Sequence, residues 1–289
     1  MPRTIIHKPE WIRTAWQQTE QAREVRRHLR EHKLHTVCEE SRCPNRGECY
    51  NRGTCTMLIM GSVCTRNCTF CSVTHGHPGD LDPNEPRNVA ESIQKLGVQY
   101  VVITSVDRDD LTDGGAGHYA ETILAIREIT PQVRIEVLTP DFQMDEMALN
   151  IVIEAAPTVF AHNLETVRGL TSGIRDLRAD YDRSLEVLNY MHTKAPKLPV
   201  KSGLMVGIGE TDDEILEALR DIRDAGAISV TIGQYLSPTR KHVAVDRYVE
   251  PETFSMYEEA ALEMGFVHVA SGPMVRSSYH AELIEPFLG

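Results

Sequence analysis

The 289-residue sequence has no cysteine after Cys71, no run of eighteen apolar residues and no surplus of basic side chains. A disulfide framework would spread its cysteines along the chain. Seven thiols confined to the stretch from Cys38 to Cys71 suit metal ligation in a reducing compartment better, and their odd number leaves one without an obvious role. The missing long apolar run excludes a spanning helix. Met1 is followed by Pro-Arg-Thr and a charged amphipathic stretch rather than an apolar signal region, so a cytoplasmic location without a membrane partner is expected. Against 42 acidic residues stand only 30 basic ones, a net charge of −12, which argues against a phosphate backbone and hence a nucleic-acid partner. Repeats and low-complexity segments are also absent. What remains is 41% hydrophobic and long enough for one large domain with small attachments at each end.

The most informative stretch is Cys64-Thr-Arg-Asn-Cys68-Thr-Phe-Cys71, three thiols spaced to wrap one loop around one metal centre. Four-iron clusters usually take one thiolate per iron. A self-contained set of three leaves one iron with an open position, and open positions are where metal chemistry happens. A structural zinc site or a buried thiol cluster is the alternative, although zinc knuckles favour paired Cys-x-x-Cys units. A second set, Cys38, Cys43 and Cys49, lies in a loop too rich in Pro, Gly and charge for a regular element. Upstream, from Trp11 to Lys33, the pattern reads as a helix with a basic face of Arg23, Arg26, Arg27, Arg30 and Lys33. Such a face is commonly just solvated.

Beyond Cys71 the chain alternates strand and helix. Met57 to Met60, Tyr100 to Thr104, Val133 to Leu138, Thr158 to Ala161, Val200 to Val206 and Ile228 to Ile232 read as six strands. Helices are expected over Asn88 to Leu96, Gly117 to Ile129, Asp145 to Ala155, Ser184 to Met191 and Asp212 to Ala225. The last is capped by Thr211 or Asp212 and ended by Gly226. A further helix from about Glu252 to Met264 leads into the tail. Six βα units imply a parallel sheet with right-handed crossovers. Six fall short of a closed eight-stranded barrel, so a partial, open (β/α)6 barrel is expected over residues 57–240, between an N-terminal cluster-binding extension (1–56) and a C-terminal helix and tail (241–289). A doubly wound sheet is the competing arrangement.

In parallel αβ barrels the active site lies at the carboxyl ends of the strands. Here those ends carry the cysteine loop, Ser105 with Asp107 to Asp110, Thr139-Pro-Asp141, His162-Asn-Leu-Glu165, Gly207 to Glu210, and Gln234-Tyr235. Any one could be a cap or turn. Six in register point to a site.

The cysteine spacing, with an aromatic just before the last thiol, resembles the radical S-adenosylmethionine enzymes. Gly203-Leu-Met-Val-Gly-Ile-Gly-Glu210 is similar to their adenine-supporting pattern G-x-I-x-G-x-x-E, with Met205 standing for Ile. Cys38-x4-Cys43-x5-Cys49 ahead of that motif, Arg276-Ser-Ser-Tyr279 near the end, Cys38-Glu-Glu-Ser-Arg-Cys43-Pro-Asn, Thr104-Ser-Val-Asp-Arg-Asp-Asp-Leu111, His162-Asn-Leu-Glu-Thr166 and Gly233-Gln-Tyr-Leu236 further resemble the lipoyl synthase family. That resemblance implies two [4Fe-4S] clusters and S-adenosyl-L-methionine. Cys64, Cys68 and Cys71 would hold the reducing cluster, and Cys38, Cys43, Cys49 and the Ser278 oxygen an auxiliary one. It implies insertion of two sulfurs at C6 and C8 of an octanoyl-lysine on a lipoyl carrier domain, such as a 2-oxoacid dehydrogenase E2 component or the glycine cleavage H protein. An electron donor such as ferredoxin or flavodoxin would be needed. Ser105, Asp107, Asn163 and Glu165 are candidates for the polar groups of adenosylmethionine, and Phe70 and Met205 for its adenine. His162, Arg175 and Tyr279 are candidates for lining the octanoyl path. Cys55 departs from the family pattern, where a small residue such as Ala is expected.

The equipment suits the chemistry. Aliphatic C–H bonds offer no acidity to a side-chain base, so a cofactor must do the hard step while the protein binds and excludes side reactions. Competing readings are another radical sulfur-inserting enzyme, such as a methylthiotransferase or biotin synthase, a non-catalytic iron-sulfur electron carrier, and a zinc-stabilised binding module.

Overall fold

The computed structural model describes residues 7–12, 19–52 and 54–288. Its strands are β1 (His35–Thr36), β2 (Thr56–Ile59), β3 (Val63–Cys64), β4 (Thr74–His75), β5 (Tyr100–Ser105), β6 (Arg134–Leu138), β7 (Val159–Ala161), β8 (Val200–Val206), β9 (Ser229–Gln234) and β10 (His268–Gly272). The helices are α1 (Glu20–Glu31), α2 (Val37–Glu40), α3 (Arg46–Asn51), α4 (Glu85–Leu96), α5 (Ala116–Ile129), α6 (Glu146–Glu154), α7 (Arg168–Ile174), α8 (Tyr181–Lys194), α9 (Asp212–Asp224) and α10 (Pro251–Glu263).

One eight-stranded sheet runs in the order β1-β2-β5-β6-β7-β8-β9-β10, parallel from β2 to β10, with β1 antiparallel at one edge. The order follows the sequence without reversal, so right-handed crossovers lay their helices on one face. A doubly wound sheet needs a reversal, and this sheet has none. Among the described residues the two edge strands do not pair with each other, so the barrel stays open. The six expected strands are present. The sheet adds β10, out of the segment read as tail, and the two-residue β1, out of the N-terminal extension.

Burial explains the strand composition. Every residue of β2, β7 and β9 is buried, as parallel strands covered on both faces require. The helices turn apolar stripes onto that sheet, with Ile215, Ala218, Leu219 and Ile222 of α9 as one example. Thr211 caps α9, accepting from the Glu214 N–H while the Glu214 carboxylate accepts from the Thr211 N–H. Gly226 follows at φ +94, and a Cβ there would strike the His192 ring. The helix expected from Trp11 to Lys33 starts, as α1, at Glu20, where extended Thr19 caps it by accepting from the Ala22 N–H; Trp11 sits in an exposed turn, and the expected stretch over 13–18 lies outside the described residues. The basic face of α1 is diluted: Arg26 is half-buried, 3.6 Å from Glu39, and Arg27 pairs with Glu31 at 3.9 Å.

Candidate active site

The Cys64 loop is pinned at both ends. β3 and β4 pair in parallel, and the Gly76 N–H donates to the Cys64 carbonyl at 2.9 Å. Between them the Thr65 N–H donates to the Asp107 carbonyl and the Thr69 N–H to the Ile174 carbonyl. The loop is thereby stitched to the ends of β5 and α7. Around it opens a cavity of about 190 Å³ at the carboxyl ends of the strands, which brings together Cys64, Cys68, Cys71, Phe70, Ser105, Asp107, His162, Asn163, Glu165 and Arg175.

Burial, followed by the nearby Asp107 carboxylate, pushes the Cys64 thiol up to about 12. Burial likewise pushes Cys68 up to about 12 and Cys71 to about 11. Such thiols stay protonated until a cation takes the proton's place. Backbone N–H groups already point at the sulfurs: Arg66 and Asp107 at Cys64 Sγ (3.4 and 3.3 Å), and Asp176 at Cys68 Sγ (3.3 Å). Hydrogen bonds of this kind stabilise cluster thiolates and tune their potential. A single zinc fits worse. Sulfurs sharing one tetrahedral zinc lie roughly 3.8 Å apart, given zinc–sulfur bonds of about 2.3 Å. Among the described residues neither cysteine set brings three ligand atoms within 4.8 Å of one another, so neither has the compact arrangement of a single tetrahedral zinc.

The polar rim is built from three strand ends. Asn163 Nδ2 donates to Glu165 Oε1 at 3.1 Å, and a Cβ on Gly203 would come within 2.7 Å of Thr231 Oγ1 and 2.8 Å of Asn163 Oδ1. Those contacts account for the first glycine of the Gly203 to Glu210 motif. The Glu210 carboxylate accepts from the N–H groups of Gly207, Ile208 and Gly209, closing the end of β8 rather than reaching the cavity. Burial raises the Glu165 carboxyl, opposed by Arg175 and Asn163. Burial also raises Asp107 to about 6, opposed by Arg66. His162 accepts no proton readily, because burial and then Arg175 hold it down at about 4. Its Nδ1 donates to the Thr139 carbonyl at 2.9 Å, leaving Nε2 a buried acceptor without a partner. Met205 packs with Phe70, Ile174, Ile208 and Tyr235 in a separate apolar cluster flanking the cavity.

Sequence reasoning missed Arg66. It is 5% exposed inside the cysteine loop, where Nη2 lies 2.8 Å from Asp109 Oδ1 and 2.6 Å from Asp141 Oδ1, and Nε 3.3 Å from Asp107 Oδ1. Burial alone would raise Asp141, but the Arg66 hydrogen bond and charge outweigh it and hold the carboxyl at about 2.

The second set of thiols opens on a different cavity, of about 50 Å³, lined by Cys38, Cys43, Cys49, Cys55, Thr56, Tyr100, Val102, Arg276, Ser278 and Tyr279 among others. Thr56 Oγ1 donates to Ser278 Oγ at 2.7 Å. Burial, then Cys55 and Cys43, pushes the Cys38 thiol well up, and burial and then Cys43 push Cys49 to about 11. Cys55, up at about 12 by burial and then Cys49, is a fourth thiol in the same cavity. Arg276 is a cation beside Cys43 whose pKa is lowered by its burial and lifted by that thiol. The tail is held down by Arg52 on Glu282 (2.7 Å) and by the Tyr279 hydroxyl on Glu48 (2.9 Å). Tyr279 thus stands with the Cys38 set and apart from His162 and Arg175.

Fold and site together define the class, a radical S-adenosylmethionine protein: residues 58–222 match the family described as Radical SAM superfamily. Solved structures with this fold include Streptococcus suis SuiB bound to S-adenosylmethionine (TM-score 0.58, 11% identity, 92% of this chain and 59% of that one). Methylornithine synthase is another (TM-score 0.53, 14% identity, 90% and 85%). Much nearer in sequence is the lipoyl synthase of Acidovorax ebreus, 55% identical over 280 residues, covering 96% of this chain and 86% of the relative. Those of Thiobacillus denitrificans (55%, covering 98% and 91%) and Deinococcus radiodurans (50%, covering 96% and 84%) agree. The chain belongs to the lipoyl synthase family.

Proposed function

We propose that this enzyme inserts two sulfur atoms at C6 and C8 of a protein-bound octanoyl-lysine, drawing them from a cluster held by Cys38, Cys43, Cys49 and Ser278. The observation that carries the reading is the placement of the two cavities on one strand. Tyr100 and Val102, at the start of β5, line the Cys38 cavity, and Thr104 and Ser105, at its end, line the Cys64 cavity. Residues 100, 102 and 104 share a face of the strand, and Tyr100 and Thr104 are about 13 Å apart at strand rise. An acyl chain in the barrel interior would meet both cysteine sets.

When bound to Cys64, Cys68 and Cys71, the cluster and S-adenosyl-L-methionine supply a carbon radical able to take an aliphatic hydrogen. The chain's own residues do the rest. Phe70 and Met205, with Ile208 and Tyr235, offer an apolar wall for adenine. Ser105, Asp107, Asn163 and Glu165 present oxygens to the amine and hydroxyl groups of adenosylmethionine. Neutral His162 offers one lone pair. Arg175 is committed to Ser184 Oγ at 2.8 Å, so it braces the rim. Ser278 is the detachable member of its set, since a hydroxyl oxygen is a poorer match than thiolate for such iron.

The substrates would be octanoylated carrier domains of 2-oxoacid dehydrogenases or the glycine cleavage system, and reduction would come from ferredoxin or flavodoxin. No helix among the described residues is long and apolar enough to cross a membrane. Replacing Cys64, Cys68 or Cys71 by Ala should abolish 5′-deoxyadenosine formation and leave the iron of the Cys38 set in place. Persistent 5′-deoxyadenosine in any of the three variants would refute the assignment of that cluster.

A further inference from the structure

On the outer seam between α1 and α4, away from both cysteine cavities, His28, Glu31 and His32 bring three ligand atoms within 4.8 Å of one another. They line an open cavity of about 550 Å³ with Glu24, Glu91 and Lys95. Their spacing, H-x-x-E-H on one helical face, is one that zinc enzymes use to present two imidazoles together. Spacing alone would be weak. The hydrogen bonds make it specific.

A neutral imidazole carries its proton on one nitrogen and a lone pair on the other. The Ser92 hydroxyl donates to the Asn88 carbonyl at 2.7 Å, so toward His28 Nε2, 3.0 Å away, it can only accept. His28 therefore carries its proton on Nε2, and its lone pair is on Nδ1. His32 Nδ1 lies 2.9 Å from the His28 carbonyl, which likewise can only accept, so the His32 lone pair is on Nε2. Each ring is thus held in one tautomer by an acceptor on one nitrogen, which leaves a lone pair on the other; a second partner on the ring is the arrangement that orients and strengthens metal-bound histidines. The rings lie 4.1 Å apart, centroid to centroid. Glu31 is 60% exposed, its nearest cation being Arg27 at 3.9 Å, and Arg87 is drawn off by Glu91 at 2.8 Å.

We propose that His28, Glu31 and His32 bind one divalent borderline transition-metal ion, zinc or a close chemical equivalent, with water completing its coordination. Two imidazoles and a carboxylate suit such ions better than calcium or magnesium. Through His28 and Ser92 the ion would tie the last turn of α1 to α4, just before β1 and the Cys38 loop. Because it binds the folded chain, it raises the unfolding midpoint.

The test uses tag-free holoprotein carrying its clusters, dialysed anaerobically against zinc, with zinc and iron counted separately by mass spectrometry. The expected result is one zinc per chain at micromolar free zinc with no loss of iron, and a raised thermal midpoint. His32→Ala and Glu31→Gln, both accessible positions, should each weaken zinc binding at least tenfold, abolish the thermal shift and keep the iron. His7→Ala, an exposed histidine outside the cluster, should change nothing. No zinc at these concentrations, zinc gained only as iron is lost, or zinc binding unchanged in both His32→Ala and Glu31→Gln would overturn the proposal.

Discussion

Arg66 shows how a residue inside a ligand loop can be structural and site-shaping at once. Its guanidinium meets Asp107, Asp109 and Asp141, and Asp141 is fully buried, so removing this cation leaves the carboxylate with the longer ion pair to Arg183, at 3.6 Å. Arg66→Met should cost about 3–5 kcal/mol, read as a lowered urea midpoint, and should loosen iron at Cys64 to Cys71 before iron at the Cys38 set. A second test at this scale is pH. Burial, then Lys201, lowers His268 to about 4. Below pH 6.5 the unfolded chain therefore binds a proton that the folded chain refuses, so this group's contribution to stability falls as pH drops from 6.5 to 4. Urea midpoints measured at pH 5.0 and 6.5 should differ less in His268→Gln than in the wild type, and an unchanged difference would contradict the shift. The cysteines were legible in the sequence because each set is closely spaced along the chain. Arg66 was not, because two of its partners lie 43 and 75 residues away and meet it only at the strand ends. That Tyr279 lines the Cys38 cavity, and not the one with His162 and Arg175, was illegible for the same reason: nothing linear says which cavity a tail residue lines.

At the scale of elements, long and strongly patterned segments were readable and short or interrupted ones were not. The six expected strands, an apolar Met57 to Met60 followed by five runs with β-branched residues, lie in the sheet interior. β1 has two residues, and β10, with its His, Ser and Gly, is an edge strand without the fully buried pattern of its neighbours. α7 went unread because Gly169 and Gly173 dilute its helical propensity. The amphipathic pattern upstream of Cys38 reads as running back to Trp11; α1 starts at Glu20 behind the Thr19 cap and buries Ala22, Val25, His28 and Leu29, while residues 13–18 lie outside the described residues. On that helix Arg23 and Arg30 remain exposed. An acidic carrier approaching an acidic enzyme needs a local positive surface. Reversing Arg23 and Arg30 to Glu should slow turnover of a whole octanoylated carrier domain several-fold, most at low salt, and spare a short octanoyl-lysine peptide. Equal loss on both substrates would count against docking at α1.

At the scale of the whole molecule, the open barrel holds its two cysteine sets at opposite ends of β5, with the N-terminal segment and the tail meeting over the second. The partial barrel and the existence of two sets could be read from strand spacing and cysteine spacing. Their disposition across the barrel could not, since the order of strands in space and the path of the tail are tertiary facts. The central claim is that one set makes the radical and the other gives up sulfur. The most direct measurement is a single anaerobic turnover on an octanoyl-lysine peptide by enzyme whose clusters were rebuilt with ³⁴S-sulfide, with the product weighed by mass spectrometry. Wild-type enzyme should give lipoyl peptide carrying ³⁴S at both positions, while Ser278→Cys, with both clusters intact, should form 5′-deoxyadenosine and no lipoyl product. Unlabelled lipoyl peptide, or full labelled yield from Ser278→Cys, would contradict the account.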